Sequence, residues 1–139
     1  MRLSFRRSSE DERSRRRALR ALYKQFLHRS GPEVRGLRLL RDWLSPEQRR
    51  QFSEKNYFDV VGCHTGKRYR IHYGVTANVV ELDKTGHPKA GMCFLPVDHL
   101  VTGDVMLAQK IALETDENGA RAVARPFIVP IDLRLLVGR

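Results

Sequence analysis

Residues able to do chemistry occur at a few places in this chain, and spacing decides what each can do. Gly62-Cys63-His64-Thr65-Gly66-Lys67 has the composition of a phosphate-cradling loop. That loop needs four residues between its glycines and Ser or Thr after the Lys, whereas here three intervene and Arg68 follows. The stretch therefore reads as a hairpin turn. Cys63 and His64 are neighbours, and neighbours on a strand point to opposite faces, which separates a nucleophile from its base. Cys63, His64, Cys93 and His99 would make a zinc set only if the hairpins converged, and no CxxC or HxxxH pair is present. Asp98-His99 could serve acid–base chemistry but reads as a solvated pair. Glu114 and Glu117 are helical neighbours that read as the surface of a last turn. No catalytic residue, metal ligand or cofactor site emerges, and a non-enzymatic protein is expected.

Cations remain. Lys67, Arg68, Arg70 and His72 would occupy the turn and outward face of a hairpin, opposite Tyr69, Ile71 and Tyr73. Such a face can track a phosphate backbone, although an ordinary solvent face shows the same alternation. A second group lies on a helix near the N-terminus, where Arg13, Arg17, Arg20 and Lys24 form one stripe with Arg16 beside it. Leu19, Leu22, Tyr23, Phe26 and Leu27 form the opposite stripe. A helix of this kind suits nucleic acid, a membrane surface or a partner protein, and docking of its apolar stripe on the domain competes with all three. The balance of charge agrees. The chain carries 26 Lys/Arg against 16 Asp/Glu. Through Asn56 the counts are 16 and 7, and from Tyr57 onward they are 10 and 9. The excess thus belongs to the helical first part, which suits a polyanionic partner such as nucleic acid or an acidic membrane surface, and equally suits a solubilising face.

These residues must be positioned by an α+β domain. Residues 1–8 read as a flexible basic arm and 9–56 as a basic helical region. Ser9 to Glu12 fits a capping box, Ser30-Gly31-Pro32 breaks the chain, and Ser45-Pro46-Glu47-Gln48 starts a third helix ending near Asn56. In the second helix Leu37, Leu40 and Leu44 mark an apolar face widened by Val34, Leu39 and Trp43, with Gly36 as a weak point. Residues 57–124 read as a sheet-plus-helix core: a four-stranded antiparallel meander, then one long packed helix. The strands are separated by His64-Thr65-Gly66-Lys67 and Asp83-Lys84-Thr85-Gly86, each with Gly where a turn needs positive φ. The long helix is expected to be capped by Thr102, with Val105, Ala108, Ile111 and Ala112 inward and Gln109, Lys110, Glu114 and Glu117 outward. The core candidates are Ile71, Tyr73, Val80, Leu82, Phe94, Val105, Leu107 and Ile111. Residues 125–139 carry Pro126 and Pro130 and read as an extended tail or edge strand.

The runs Leu44-Ser45-Pro46-Glu47-Gln48, Tyr57-Phe58-Asp59-Val60, TGKRYRI from Thr65, CFLP from Cys93 and GDVMLAQKIALETDE from Gly103 resemble a group of small, uncharacterised bacterial proteins. The resemblance spans Leu39 to Ala124 and attaches no activity to any residue. A fainter likeness to SWIM-type zinc modules lacks their Cys-x-Cys and Cys-x-His pairs. Two cysteines make no disulfide framework, and both are expected reduced and buried. No apolar run approaches about 18 residues and no secretory signal stands at the start, so a cytoplasmic protein without a membrane span is expected. The expected function is binding of a DNA or RNA backbone. The alternative is an assembly protein that forms a homo-oligomer through the first helix's apolar stripe or the C-terminal arm.

Overall fold

A computed structural model describes residues 10–22, 31–94 and 101–129. The chain divides into two compact units, Met1–Val34 and Arg35–Arg139. In the first unit residues 10–22 are helical (α1) and every one of them is exposed. Ser9, Tyr23, Lys24, Phe26 and Leu27, with the expected capping box and the end of this helix, lie outside the described residues.

α2, Gly31–Trp43, begins in the first unit and runs into the second. The rest of the second unit is α3 (Pro46–Lys55), β1 (Tyr57–Val61), β2 (Arg68–His72), β3 (Val79–Leu82), β4 (Pro88–Cys93), α4 (Thr102–Thr115), α5 (Glu117–Val123) and β5 (Arg125–Phe127). The strands form one antiparallel sheet in the order β1-β2-β3-β4-β5. The α+β class and the meander hold, with two corrections. The strand count rises from four to five, because Arg125–Phe127 takes the edge-strand form, one of the two expected of the tail, and Pro126 is tolerated there. The expected long helix is two, because Asp116 ends α4 and caps α5 by accepting the Gly119 N–H.

Local signals explain most of the elements. Ser45 and Gln48 form the expected capping box with Pro at the start of α3, and left-handed Asn56 ends the helix. The two turn glycines, Gly66 and Gly86, take positive φ as the hairpins require. Gly36 also has a reason to stand within α2. A Cβ on Gly103 of α4 would lie 2.2 Å from the Gly36 carbonyl carbon, so small residues let these two helices cross.

One face of the sheet packs on the helices. Phe58, Val60, Tyr69, Ile71, Val79 and Met92 meet Phe52 of α3, Leu40 of α2 with Leu44 beyond it, and Met106, Leu107 and Leu113 of α4. On the opposite face Val80 and Leu82 are covered by Phe127 and Val129, so β3 is buried throughout. Val80 and Leu82 are therefore core residues, but of a second and smaller cluster. Tyr73 and Ile111, expected in the core, are 53% and 42% exposed. Val34, Leu39 and Trp43 are exposed as well, which leaves Leu40 and Leu44 as the buried face of this segment, with Leu37 half-buried against the core.

The buried face of α4 is the largest correction. Ala108 is exposed, and Ala112 is half-buried, while Gln109 and Lys110 are buried. A polar side chain can be buried when its hydrogen bonds are met. Gln109 exchanges a pair of amide hydrogen bonds with buried Asn78, at 2.8 and 3.0 Å, and the Lys110 ammonium pairs with Glu114 at 2.5 Å. Val101, not Thr102, occupies the cap position of α4. Among the described residues no helix is long and apolar enough to cross a membrane.

Candidate nucleic-acid interface

At 3.6 residues per turn, Arg13, Arg16, Arg17 and Arg20 fall within about 100° of the α1 circumference. All four are exposed, and none forms an ion pair with a described residue. Leu22 lies roughly opposite, also exposed. Lys24, the fifth member of the stripe, lies outside the described residues. Residues 1–34 hold ten Lys/Arg and four Asp/Glu. α1 thus presents a row of exposed guanidinium groups, with its own acids Glu10, Asp11 and Glu12 confined to the first turn.

The hairpin cations have a different fate. Strand register places Tyr57 opposite His72, Asp59 opposite Arg70 and Val61 opposite Arg68, on the sheet face opposite the core residues Phe58, Val60, Tyr69 and Ile71. Arg70 is buried and grips Asp59 through two hydrogen bonds, Nε–Oδ1 at 2.8 Å and Nη2–Oδ2 at 3.0 Å. Its guanidinium also lies 4.0 Å from the Tyr57 ring centroid, within cation–π range. Burial works against its charge, but the Asp59 hydrogen bonds and charge prevail and raise its pKa. His72 is half-buried, and burial, followed by the Arg70 charge, lowers its pKa, so it is neutral at pH 7. Lys67 lies 3.0 Å from Glu81, on the helix side of the sheet. Arg68 is exposed and forms no ion pair with a described residue.

A polar cleft of about 530 Å³ runs between this face and α3, lined by Gln48, Gln51, Asp59, Arg68, Arg70 and Glu114 among others. Its polar groups largely satisfy one another. Gln51 accepts the Asp59 N–H and Gln48 donates to the Asp59 carbonyl, at 3.0 and 2.9 Å. These two glutamines thereby close the outer edge of β1, as Pro126 does on β5, and both edges resist pairing with another strand. Residue types alone do not mark Asp59 as the cross-strand partner of Arg70. The turn length would have identified it, since pairing Val61 with Arg68 sets Asp59 against Arg70.

Glu117 departs from the surface position expected of it. It is fully buried rather than surface. One carboxylate oxygen accepts the His64 and Thr65 N–H groups at 3.0 and 2.7 Å, and the other accepts the Thr65 and Tyr69 hydroxyls, both at 2.5 Å. Burial alone would raise its pKa, but these donors outweigh it and hold the carboxyl at about 2. Tyr69 is pushed up to about 12 by burial and by its bond to Glu117, while Arg121 donates to the same hydroxyl at 2.8 Å. A Cβ on Gly62 would fall 2.2 Å from the Glu117 carboxyl carbon, so glycine there makes room for the clamp. The Gly62–Lys67 turn is thus held by a buried anion.

That clamp leaves Cys63 on the surface, contrary to the expectation of a buried thiol. Cys93 is half-buried near the other end of the sheet, where its sulfur accepts the Ala77 N–H at 3.4 Å. Cys63 and Cys93 therefore do not converge, and Asp98 and His99 lie outside the described residues. Among the described residues no three His, Cys, Asp or Glu side chains are gathered closely enough to hold a metal ion. Comparison with protein-family models, curated proteins and solved structures finds no match.

Proposed function

We propose that this protein is a small, basic, non-enzymatic module that binds the phosphate backbone of DNA or RNA through α1. The observation that carries the reading is the row Arg13, Arg16, Arg17 and Arg20, exposed on one stripe and unpaired with any described residue. Guanidinium groups on a stripe suit phosphate oxygens, and neutralising phosphates releases counterions. Arg68 is a subordinate contact in the second unit. Arg70, Lys67 and His72 contribute less, because ion pairs hold the first two and the third is neutral. Such contacts fix position and not sequence, so discrimination between base sequences is small.

Fluorescence anisotropy with labelled duplex and single-stranded oligonucleotides of several sequences tests it. The expected result is similar affinity across sequences, falling steeply with salt. Absence of binding at low salt would refute it. One observation favours a second reading. Leu19 and Leu22 are exposed on α1 away from the arginines, which suits an assembly protein whose helices pair into a homo-oligomer. Light scattering on Leu22→Asp decides this: a fall in mass supports assembly, and an unchanged mass leaves nucleic-acid binding as the account.

A further inference from the structure

The pairing of β2 with β3 sets Arg68 against Leu82, so the turns at 62–67 and 83–87 emerge side by side. Between them lies a cleft of about 270 Å³ lined by Thr65, Gly66, Lys67, Arg68, Asp83 and Lys84, with Leu82. Arg68 and Lys84 are exposed and form no ion pair with a described residue. Lys67 shares Glu81, which also lies 3.6 Å from Arg121, so one carboxylate is divided between two cations. Asp83 is the acidic group of the cleft, and its Oδ1 is committed to its own turn. It accepts the Thr85 N–H, the Thr85 hydroxyl and the His87 N–H at 2.9, 2.6 and 2.9 Å. No atom lies within 4 Å of where a Gly66 side chain would begin, so a ligand can approach the backbone there.

We propose that this cleft seats a single phosphoryl group held by Lys67, Arg68 and Lys84. The Arg68 fork can meet two oxygens at once, with the lysines as point charges around it. Charge selects the ligand. Arg68 and Lys84 have no ion-pair partner among the described residues and Lys67 shares Glu81 with Arg121, so the cleft keeps a net positive charge against Asp83 and suits an anionic phosphoryl group. The inference builds on Arg68 in the proposed function and adds Lys84 and the second turn. It does not depend on α1.

Amide NMR of the full chain, titrated with inorganic phosphate at ionic strength held constant with chloride, tests the seat. Saturable shifts are expected at Thr65, Gly66, Lys67, Arg68 and Lys84. Arg68→Ala and Lys84→Ala should each weaken binding roughly tenfold, the loss of about one charge-assisted hydrogen bond. Both side chains are exposed, so the remaining spectrum should be unchanged. A 5′-phosphorylated oligonucleotide and its 5′-hydroxyl counterpart separate the sources. Shifts only with the 5′-phosphate assign a terminal monoester, and shifts with both assign the backbone. Either outcome supports the seat. No saturable shift with any of the three probes, or unaltered affinity in both variants, overturns it. The variant with Arg13, Arg16, Arg17 and Arg20 changed to Gln should keep the phosphate response, so loss of the α1 interface and loss of the seat are distinguishable.

Discussion

α1 and the β1–β2 hairpin carry the same residue types and use them in opposite ways. On α1 four arginines stand exposed and form no ion pair with a described residue, although Glu10 and Glu12 lie one turn before Arg13 and Arg16. On the hairpin Arg70 is locked to Asp59 and stacked on Tyr57, Lys67 reaches Glu81, and His72 is neutral, so only Arg68 is left outward. The difference lies in what each backbone brings alongside. An exposed helix supplies an arginine with its own near neighbours, whereas a sheet register delivers a residue from a remote strand. Cations at helical spacing on such a helix, without a described ion-pair partner, suit a ligand. Cations on a strand do so only if the opposite residue is not an acid.

That contrast implies a ranking of mutational effects. The largest belongs to the hairpin clamp. Glu117→Ala should cost roughly 3 kcal/mol in a denaturant melt, since it leaves the buried Tyr69 hydroxyl and the part-buried His64 and Thr65 donors without their acceptor. A loss below about 1 kcal/mol would mean that the turn is held by something else. Next, Arg70→Ala should cost at most about 3 kcal/mol, because Asp59 keeps its charge in a partly buried site without a partner. If this change instead weakened nucleic-acid binding at unaltered stability, Arg70 would belong with the α1 group and the contrast would break.

The pH dependence is smaller and has a definite sign. The folded pKa of Glu117 is depressed to about 2 from an ordinary 4.5, so its contribution is fully present above 4.5 and is lost as pH falls toward 2. Glu117→Gln should therefore flatten the melting-temperature profile between pH 4.5 and 2. A wild-type profile as flat as that of the variant would contradict the clamp. His72 acts higher on the scale with the same sign. Its folded pKa lies below the ordinary 6.5, so it disfavours folding once pH falls below that value. The smallest stability effect should come from α1, where changing Arg13, Arg16, Arg17 and Arg20 to Gln should alter the melt by no more than about 0.5 kcal/mol.

Much of the fold was legible because local chemistry dictated it. Ser45, Pro46 and Gln48 announce α3, Gly66 and Gly86 announce two turns, and alternation through Phe58, Val60, Tyr69 and Ile71 marks the packed face of the sheet. Errors arose where a polar residue was equated with an exposed one. Gln109 is inside because Asn78 lies opposite it, and Glu117 is inside because a turn 52 or 53 residues away offers donors. Ile111 is outside because α4 turns Gln109 and Lys110 inward, and Tyr73 lies one residue past the end of β2. Of the proposed interface, the α1 stripe could be read directly from helical spacing. The hairpin could not, since Asp59 and Glu81 reach their cations only through register and tertiary packing.

The most direct measurement is the salt dependence of oligonucleotide binding for wild type and for the chain with Arg13, Arg16, Arg17 and Arg20 changed to Gln. On duplex DNA the slope of log K against log salt should flatten by about 0.9 for each arginine that reaches a phosphate, with weaker binding on every sequence and an unchanged melt. Arg68→Ala should flatten it by one such step at most. An unaltered slope in the quadruple variant would contradict the claim that α1 is the interface.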